Sequence, residues 1–183
     1  MQHKNLVRRK YYLLRKKKYS EVSKYFFIPL LNLIKKKFKK KKIKLALYYP
    51  SSFEVNVIKL LEHNYISNQK LLLPVIEENN LMNFFSWKKN EVLQVNRYGM
   101  LEPIKSQQHI PNIMLVPLLT FDKDKYRLGY GKGFYDRYLN KYLKKFKNIL
   151  TVGVAFSFQK YHKLPINNMD VRLDYILTEK GIK

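Results

Sequence analysis

The chain has 183 residues, no cysteine and a formal net charge of +24, and 46% of its residues are hydrophobic. These values favour one globular domain over a disordered chain, and the lack of cysteine excludes disulfides and thiolate metal sites. The longest apolar run, residues 25–34, is much shorter than the about 20 residues of a membrane span, so we expect a soluble, cytoplasmic, monomeric protein without a secretory signal.

The hydrophobic pattern predicts helices that alternate with short buried strands. Residues 4–41 have helical spacing and predict two helices interrupted near Pro29, with the lysine run 35–42 as an exposed end. Strands are predicted over 43–50, 70–76, 112–121, 149–157 and 173–178, helices over 54–64 and 133–146, and an aromatic strand of a more exposed ribbon over 81–87.

Short continuous apolar strands between helices are typical of a mostly parallel sheet that is covered on both faces. We therefore predict an α/β fold in one domain, residues 1–183, with a Rossmann-like three-layer arrangement. The basic helical segment 1–42 is expected to pack on this domain.

Positive charge is concentrated near the N-terminus, where residues 1–44 hold 17 Lys or Arg and one Glu. Such a balance is one mark of nucleic-acid binding. The bases are mostly lysine, however, in a chain rich in Asn, Ile, Tyr and Phe, which A/T-rich codons encode. We therefore expect no dedicated nucleic-acid partner, while nonspecific RNA binding stays open.

The stretch 127–139, "RLGYGKGFYDRYL", contains three of the six glycines at alternate positions. It lies between a predicted strand and a predicted helix, whose N-terminus offers free N–H groups to an anion. Lys132 adds a positive charge, and Asp136 in the first helical turn suits a magnesium ion that bridges phosphates. The pattern predicts a phosphate site, although it matches neither the Walker loop nor the dinucleotide fingerprint. A glycine-rich turn that only starts the helix is the alternative.

This stretch resembles the signature of the 5-formyltetrahydrofolate cyclo-ligases, also called 5,10-methenyltetrahydrofolate synthetases. The N-terminal Lys4, Arg8 and Arg15 resemble the family's K-x-x-L-R with a later arginine, although Val7 replaces the leucine. Other blocks agree in order over nearly the whole chain: "LYYPSSFEVNV", "LLLPVI", "YGMLEP", "VPLLTFD", "VGVAFSFQ" and "LPINNMDVRLDYILTE".

The resemblance implies dependence on ATP and Mg²⁺, with 5-formyltetrahydrofolate, possibly polyglutamylated, as the substrate. The implied reaction gives 5,10-methenyltetrahydrofolate, ADP and phosphate. Phosphorylation of the formyl oxygen makes it a leaving group, and attack by N10 closes the ring. Positioning and charge neutralisation supply most of such catalysis.

The resemblance also implies roles for individual residues. The implied catalytic residues are Lys132, Arg127 and Tyr135. The implied ATP contacts are Lys4, Arg8, Arg127, Leu128, Gly129, Tyr130, Gly131, Lys132, Gly133, Phe134 and Tyr135. The implied folate contacts are Tyr49, Glu54, Tyr98, Tyr130, Gly131, Lys132, Gly133 and Phe134. The implied magnesium carboxylates are Asp136 and Asp174, the latter with Asp170 as a near neighbour.

Two departures from the family pattern are Phe134, where tyrosine is frequent, and Phe53, where glycine is usual. Phe53 is expected to narrow the pterin pocket.

Two other functions remain open: a basic nucleic-acid-associated protein, and a phosphotransferase for another small molecule. Glu54 and Tyr98 distinguish the cyclo-ligase from both, because they matter only if a pterin binds.

Overall fold

The computed structural model describes residues 2–39, 41–146 and 148–183. None of the helices within these ranges is both long enough and apolar enough to cross a membrane. The helices are α1 (Gln2–Lys18), α2 (Ile28–Phe38), the short α3 (Asn64–Ser67) and α4 (Phe134–Leu143). Turns of 3₁₀ helix cover Lys24–Phe27, Val57–Glu62, Glu78–Asn80 and Ser157–Gln159.

One eight-stranded sheet runs through the molecule. Its strands, in chain order, are β1 (Lys44–Ala46), β2 (Lys70–Ile76), β3 (Met82–Ser86), β6 (Gln108–His109), β7 (Ile113–Pro117), β10 (Leu150–Val154), β11 (Tyr175–Thr178) and β12 (Gly181–Ile182). Two separate hairpins consist of β4 (Leu93–Val95) with β5 (Leu101–Pro103), and β8 (Thr120–Phe121) with β9 (Arg127–Leu128).

The spatial order of the large sheet is β12-β11-β10-β7-β1-β2-β3-β6. The five central strands, β11 to β2 in this order, are parallel, and the three outer strands pair antiparallel. All five central strands therefore end at the same edge, which we call the carboxyl edge. Ligands in open α/β sheets bind beyond this edge.

Alternate residues of the central strands pack on opposite faces of the sheet. In β7, Ile113 and Leu115 pack in one core with α2, α3 and the turn at 57–62, whereas Met114 and Val116 pack in a second core with α4. All four side chains are fully buried. Burial on both faces explains the continuous apolar runs in the sequence and gives three layers.

The structure confirms the predicted α/β fold with a mostly parallel sheet. It also confirms two N-terminal helices and the strand over 70–76, while Pro29 lies in the first turn of α2, where a missing N–H costs nothing. Strand β1 is shorter than its predicted range of 43–50. The predicted helix over 54–64 was wrong, since this segment forms a 3₁₀ turn followed by the one-turn helix α3.

The predicted exposed ribbon over 81–87 was also wrong. Strand β3 pairs with β2 inside the large sheet. The Phe84 ring is fully buried and lies 5.0 Å from the Tyr138 ring of α4 in an edge-to-face contact. Phe84 therefore belongs to the core beneath α4, whereas Trp87 packs in the core on the opposite face of the sheet.

We predict that Phe84→Ala lowers the free energy of unfolding by about 3–5 kcal/mol, because it leaves a cavity under α4. Urea unfolding followed by circular dichroism measures this change. The matched control is Val95→Ala in β4, whose side chain is 69% exposed and whose loss should cost less than about 0.5 kcal/mol. Equal small effects of both substitutions would contradict the placement of β3 in the core.

Candidate active site

The glycine segment, residues 129–133, lies beyond the carboxyl edge and leads directly into α4. Gly131 and Gly133 have φ angles of 100° and 69°, which other residues rarely adopt, and Gly133 caps the helix. The hydrogen bonds of the described residues include none donated by a backbone N–H of this segment. Together with the free first turn of α4, these amides form an open set of anion donors.

Helix α1 places two cations against the glycine segment. Arg8 donates from Nε to the carbonyl oxygen of Gly129 at 3.0 Å. A Cβ atom on Gly131 would lie 3.1 Å from Arg8 Cζ, so a larger residue would require the guanidinium to shift slightly. Lys4, one turn earlier in α1, forms a 2.6 Å ion pair with Asp170. Lys4 and Arg8 thus lie on the face of α1 that meets the site.

The β4–β5 turn contributes an aromatic wall. The Lys132 ammonium lies 5.4 Å from the centre of the Tyr98 ring, and this ring contacts Phe134 edge to face at 5.6 Å. The Tyr98 hydroxyl donates to Asn80 Oδ1 at 3.0 Å. The structure therefore brings together Tyr98, Lys132 and Phe134, three residues for which the family resemblance implies folate contacts.

Glu54 is a buried carboxylate beside the same segment. Its Oε1 accepts a hydrogen bond from the Tyr130 hydroxyl at 3.1 Å, and its Oε2 accepts from the Ser51 amide at 3.0 Å. Burial raises the pKa of Glu54, and the nearby Arg15 guanidinium and these hydrogen bonds oppose that rise. The carboxylate is therefore held in the interior by one cation and two donors.

Arg15 joins the two loops of the site. It is 1% exposed; its Nη1 donates to the Leu118 carbonyl oxygen at 3.0 Å, and its Nη2 donates to the Ser52 carbonyl oxygen at 2.7 Å and to the Tyr130 hydroxyl. Sequence reasoning assigned it no site role. The available signal was helical spacing, since Lys4, Arg8 and Arg15 fall on one face of α1 together with Tyr11.

The loop that Arg15 holds is strained. Ser52 and Phe53 have φ angles of 49° and 64°, a region that costs free energy for residues other than glycine. The Phe53 ring packs edge to face against Tyr12 and Tyr19, at 6.4 and 6.0 Å. The unusual phenylalanine is thus accommodated by aromatic packing on α1 and by the Arg15 bond to the preceding carbonyl.

Two tyrosines predicted at the site have different surroundings. The Tyr135 hydroxyl is buried without a hydrogen-bond partner in the described chain, and burial raises its pKa, with a further rise from Glu54. A buried, unpaired hydroxyl of this kind favours a bound polar group. Tyr49 is exposed in the loop that follows β1, five residues before Glu54.

Arg127 points into the protein. Its guanidinium is 3% exposed, forms a 3.0 Å ion pair with Asp136 Oδ1 and donates to the Val171 carbonyl oxygen at 3.3 Å. This differs from the predicted contact of Arg127 with the nucleotide. In the structure, Arg127 fixes the first turn of α4 through Asp136.

The two predicted magnesium carboxylates do not lie together. Asp174 accepts hydrogen bonds from the amide and hydroxyl of Thr151, both at 2.8 Å, at the start of β10. This is the amino edge of the sheet, opposite the glycine segment. Asp170 is the carboxylate that reaches the site, because it pairs with Lys4 and because the next amide, of Val171, donates to Asp136 at 3.3 Å.

The carboxylates of Asp136 and Asp170 suit a magnesium ion that is also coordinated by phosphate oxygens. No group of three or more His, Asp or Glu residues converges as metal ligands within the ranges described above. Magnesium at phosphates commonly takes only one or two carboxylates, with phosphate and water oxygens as the other ligands. Asp136 and Asp170 provide such a pair.

These features define an α/β protein that presents open amides and cations to phosphate, next to a buried carboxylate. Comparison with known proteins then identifies the family. The model of the "5-formyltetrahydrofolate cyclo-ligase family" matches residues 6–179, and the chain belongs to this family.

Individual relatives agree with this assignment. The chain is 32% identical to the 5-formyltetrahydrofolate cyclo-ligase of Haemophilus influenzae over 154 residues, 80% of each chain, and 28% identical to that of Escherichia coli over 145 residues, 75% of this chain and 78% of the relative. It is also similar to the solved structure of Aquifex aeolicus 5,10-methenyltetrahydrofolate synthetase, with a TM-score of 0.75 and 32% identity over 98% of this chain and 91% of that one. Family and relatives support 5-formyltetrahydrofolate cyclo-ligase activity.

We predict that Arg15→Met destabilises the fold more at pH 8 than at pH 5. The pKa of Glu54 is already raised in the folded state. The stability that Glu54 contributes is therefore fully present below its pKa in the unfolded chain, about 4.3. This contribution is lost as the pH rises through the pKa of the folded state. Removal of Arg15 raises that pKa further. We expect a loss of about 3–5 kcal/mol at pH 8, the usual cost of breaking a buried charge pair.

Urea unfolding at the two pH values measures this difference. Arg9→Met is the matched control, because Arg9 lies on the exposed side of α1. A loss for Arg15→Met that does not change with pH would contradict the electrostatic link to Glu54.

Proposed function

We propose that the chain cyclises 5-formyltetrahydrofolate to 5,10-methenyltetrahydrofolate with ATP and Mg²⁺, releasing ADP and phosphate. The observation that supports this best is the row of open amides in residues 129–133. One residue of this row, Tyr130, donates a hydrogen bond from its hydroxyl to the buried Glu54. A phosphate bound by these amides is held next to any molecule bound by Glu54. Cytoplasmic localisation and a monomeric state stay predictions from the sequence.

The nucleotide side of the proposed site consists of the glycine segment and α1. The amides of residues 129–133 and the N-terminus of α4 bind the terminal phosphates, while Arg8 and Lys132 neutralise their charge. Arg8 already contacts the segment at Gly129, and the Lys132 ammonium lies against the Tyr98 ring. Arg127 has a structural role here, because its ion pair holds Asp136 in position.

The folate side consists of Glu54, Tyr98 and the adjoining rings. A carboxylate binds the paired N–H groups of a pterin well, because it accepts two hydrogen bonds at once. The Tyr130 hydroxyl and the Ser51 amide each donate to one Glu54 oxygen. Each carboxylate oxygen has a second lone pair, so Glu54 can accept the pterin N–H groups while both donors stay in place.

The chemistry requires a formyl oxygen in line with the γ-phosphoryl group. The P–O bond to ADP breaks as the bond to the formyl oxygen forms, N10 then attacks the formyl carbon and loses its proton, and the C–O bond to phosphate breaks. Lys132 and the amides stabilise the charge on the transferred group, and the site orients N10. Burial raises the pKa of the Tyr135 hydroxyl, and the nearby Glu54 raises it further, so this hydroxyl stays protonated as a donor.

Magnesium, when bound, neutralises phosphate charge. Asp136 and Asp170 are the side chains that would hold it. Each has a cationic partner, Arg127 and Lys4 respectively. These ion pairs hold the two carboxylates in place, Asp136 in the first turn of α4 and Asp170 in the segment before β11.

The direct test mixes the purified chain with 5-formyltetrahydrofolate, ATP and Mg²⁺ and follows methenyl formation by its near-ultraviolet absorbance. We expect turnover that requires all three components. A well-folded preparation without any signal would refute the proposed reaction. ATP turnover with another small molecule and none with the folate would favour the phosphotransferase alternative.

We predict that Glu54→Gln and Lys132→Ala separate the two halves of the site. Glu54→Gln should raise KM for the folate about tenfold to a hundredfold, because a charged hydrogen-bond acceptor is lost, with KM for ATP little changed. Lys132→Ala should lower kcat by about 10²–10³-fold through lost charge stabilisation. Steady-state kinetics with each substrate varied measure both effects. The same change in both KM values for Glu54→Gln would contradict its assignment to the pterin.

We predict that Asp136→Asn and Asp170→Asn each raise the Mg²⁺ concentration for half-maximal rate by about 10–100-fold. Asp174→Asn is the control: it weakens the bonds to Thr151 and lowers the melting temperature, but leaves the Mg²⁺ requirement unchanged. A Mg²⁺ titration of the rate distinguishes the three carboxylates. A raised requirement in Asp174→Asn alone would show that the metal lies elsewhere.

A further inference from the structure

A second cleft lies at the amino edge of the sheet, away from the glycine segment. Its volume is about 520 Å³, and the lining residues that matter below are Lys44, Gln108, His109, Asn112, Phe146 and Asn148. Lys44 begins β1, and Asn112 precedes β7, so both lie where the parallel central strands start. The proposed reaction uses none of these residues.

The cleft concentrates positive charge. Lys44 at the start of β1 lines the cleft. Lys70, at the start of the neighbouring strand β2, lies beside the cleft and donates to the lining residue His109 at Nε2, at 3.2 Å. Burial lowers the pKa of His109, and Lys70 and Lys44 lower it further. No aspartate or glutamate lines the cleft, and neither lysine has a carboxylate partner among residues 2–39, 41–146 and 148–183. Cations grouped in this way repel one another until an anion binds.

Positive charge continues on both sides of the cleft. Lys41 and Lys42, from the lysine run of the sequence, are exposed just before β1, and Lys144 and Lys145 are exposed just after α4. Lysines at the end of a helix are favoured by the helix dipole alone, which accounts for the pair after α4. It does not account for Lys44 and Lys70, which belong to strands.

We propose that this cleft binds the phosphate of a nucleotide, presented either by a mononucleotide or by a single strand of nucleic acid. Lys44 and Lys70 hold the phosphate, and His109 gains a proton and becomes a third cation. The Phe146 ring, which is 44% exposed at the rim, offers a surface on which a base stacks. The flanking lysines extend the same recognition to neighbouring phosphates of a strand.

This proposal revises the expectation from composition that the lysines have no dedicated partner. Composition gives only the total positive charge, not its position. In the structure, part of this positive charge lies around one cleft that no carboxylate lines. The proposal is independent of the cyclo-ligase reaction, because the two sites lie at opposite edges of the sheet.

The test is an NMR pH titration of the His109 ring in the full-length protein. The probes are inorganic phosphate, UMP and a short oligouridylate of about ten nucleotides, which spans one or two typical single-strand binding sites. We expect bound phosphate to raise the pKa of His109, and oligouridylate affinity to fall steeply with salt. The double substitution Lys44→Gln and Lys70→Gln should weaken binding about tenfold or more and reduce the salt slope by about two.

The matched control is Lys16→Gln with Lys17→Gln, which removes the same charge from exposed positions on α1. It should keep the affinity and the His109 shift. Tighter binding of the strand than of UMP assigns single-stranded nucleic acid, and equal binding assigns a mononucleotide. An unchanged His109 pKa with all three probes, or an equal loss in the control, would overturn the proposal. Cyclo-ligase turnover of the Lys44 and Lys70 variant is expected to match that of the unmodified chain.

Discussion

A single buried guanidinium determines how the two halves of the active site face each other. Arg15 donates to the strained loop at Ser52 and to Tyr130 in the glycine segment. It also balances the charge of Glu54, which burial alone would drive towards the neutral form. Because Ser52, Tyr130 and Glu54 all interact with the one buried Arg15 side chain, the loop proposed to bind the pterin and the segment proposed to bind phosphate are held in a fixed relation.

This constraint explains why so little further machinery is needed. Phosphoryl transfer depends mainly on positioning and on neutralised charge. In the proposed reaction, the open amides of the glycine segment, Arg8 and Lys132 neutralise charge, and Glu54 positions the second substrate. The Tyr130 hydroxyl connects both, since it contacts Glu54 while its backbone belongs to the phosphate-binding segment.

Much of the fold was predictable from the sequence, because parallel strands buried on both faces leave continuous apolar runs. The errors have local causes. The segment 54–64 has helical spacing, but the Asn56 side chain accepts the Ile58 amide and starts a tighter turn. Strand β3 looked exposed because its burial depends on α4, which lies far away in the sequence. Only three-dimensional packing places Phe84 under Tyr138.

The part of the candidate site that lies in one local motif was visible in the sequence. The glycine segment leads into α4 as predicted, while its phosphate role and that of Lys132 stay predictions. The inward direction of Arg127 could not be predicted, because it depends on Asp136 and Val171 from other elements. Asp174 lies away from the proposed magnesium position for a reason visible in the sequence: a residue directly before a parallel strand lies at the amino edge of the sheet, whereas ligands bind beyond the carboxyl edge. Asp170, earlier in the crossover, pairs with Lys4 and is the carboxylate that we propose in its place.

The most direct test of the whole account is an amide NMR spectrum of protein labelled with ¹⁵N-glycine, recorded during titration with a non-hydrolysable ATP analogue and Mg²⁺. The chain has only six glycines, so each signal can be followed separately. The account predicts large shifts for Gly129, Gly131 and Gly133 and none for Gly153 and Gly181. Saturable binding of the analogue that leaves the three signals of the glycine segment unmoved would contradict it.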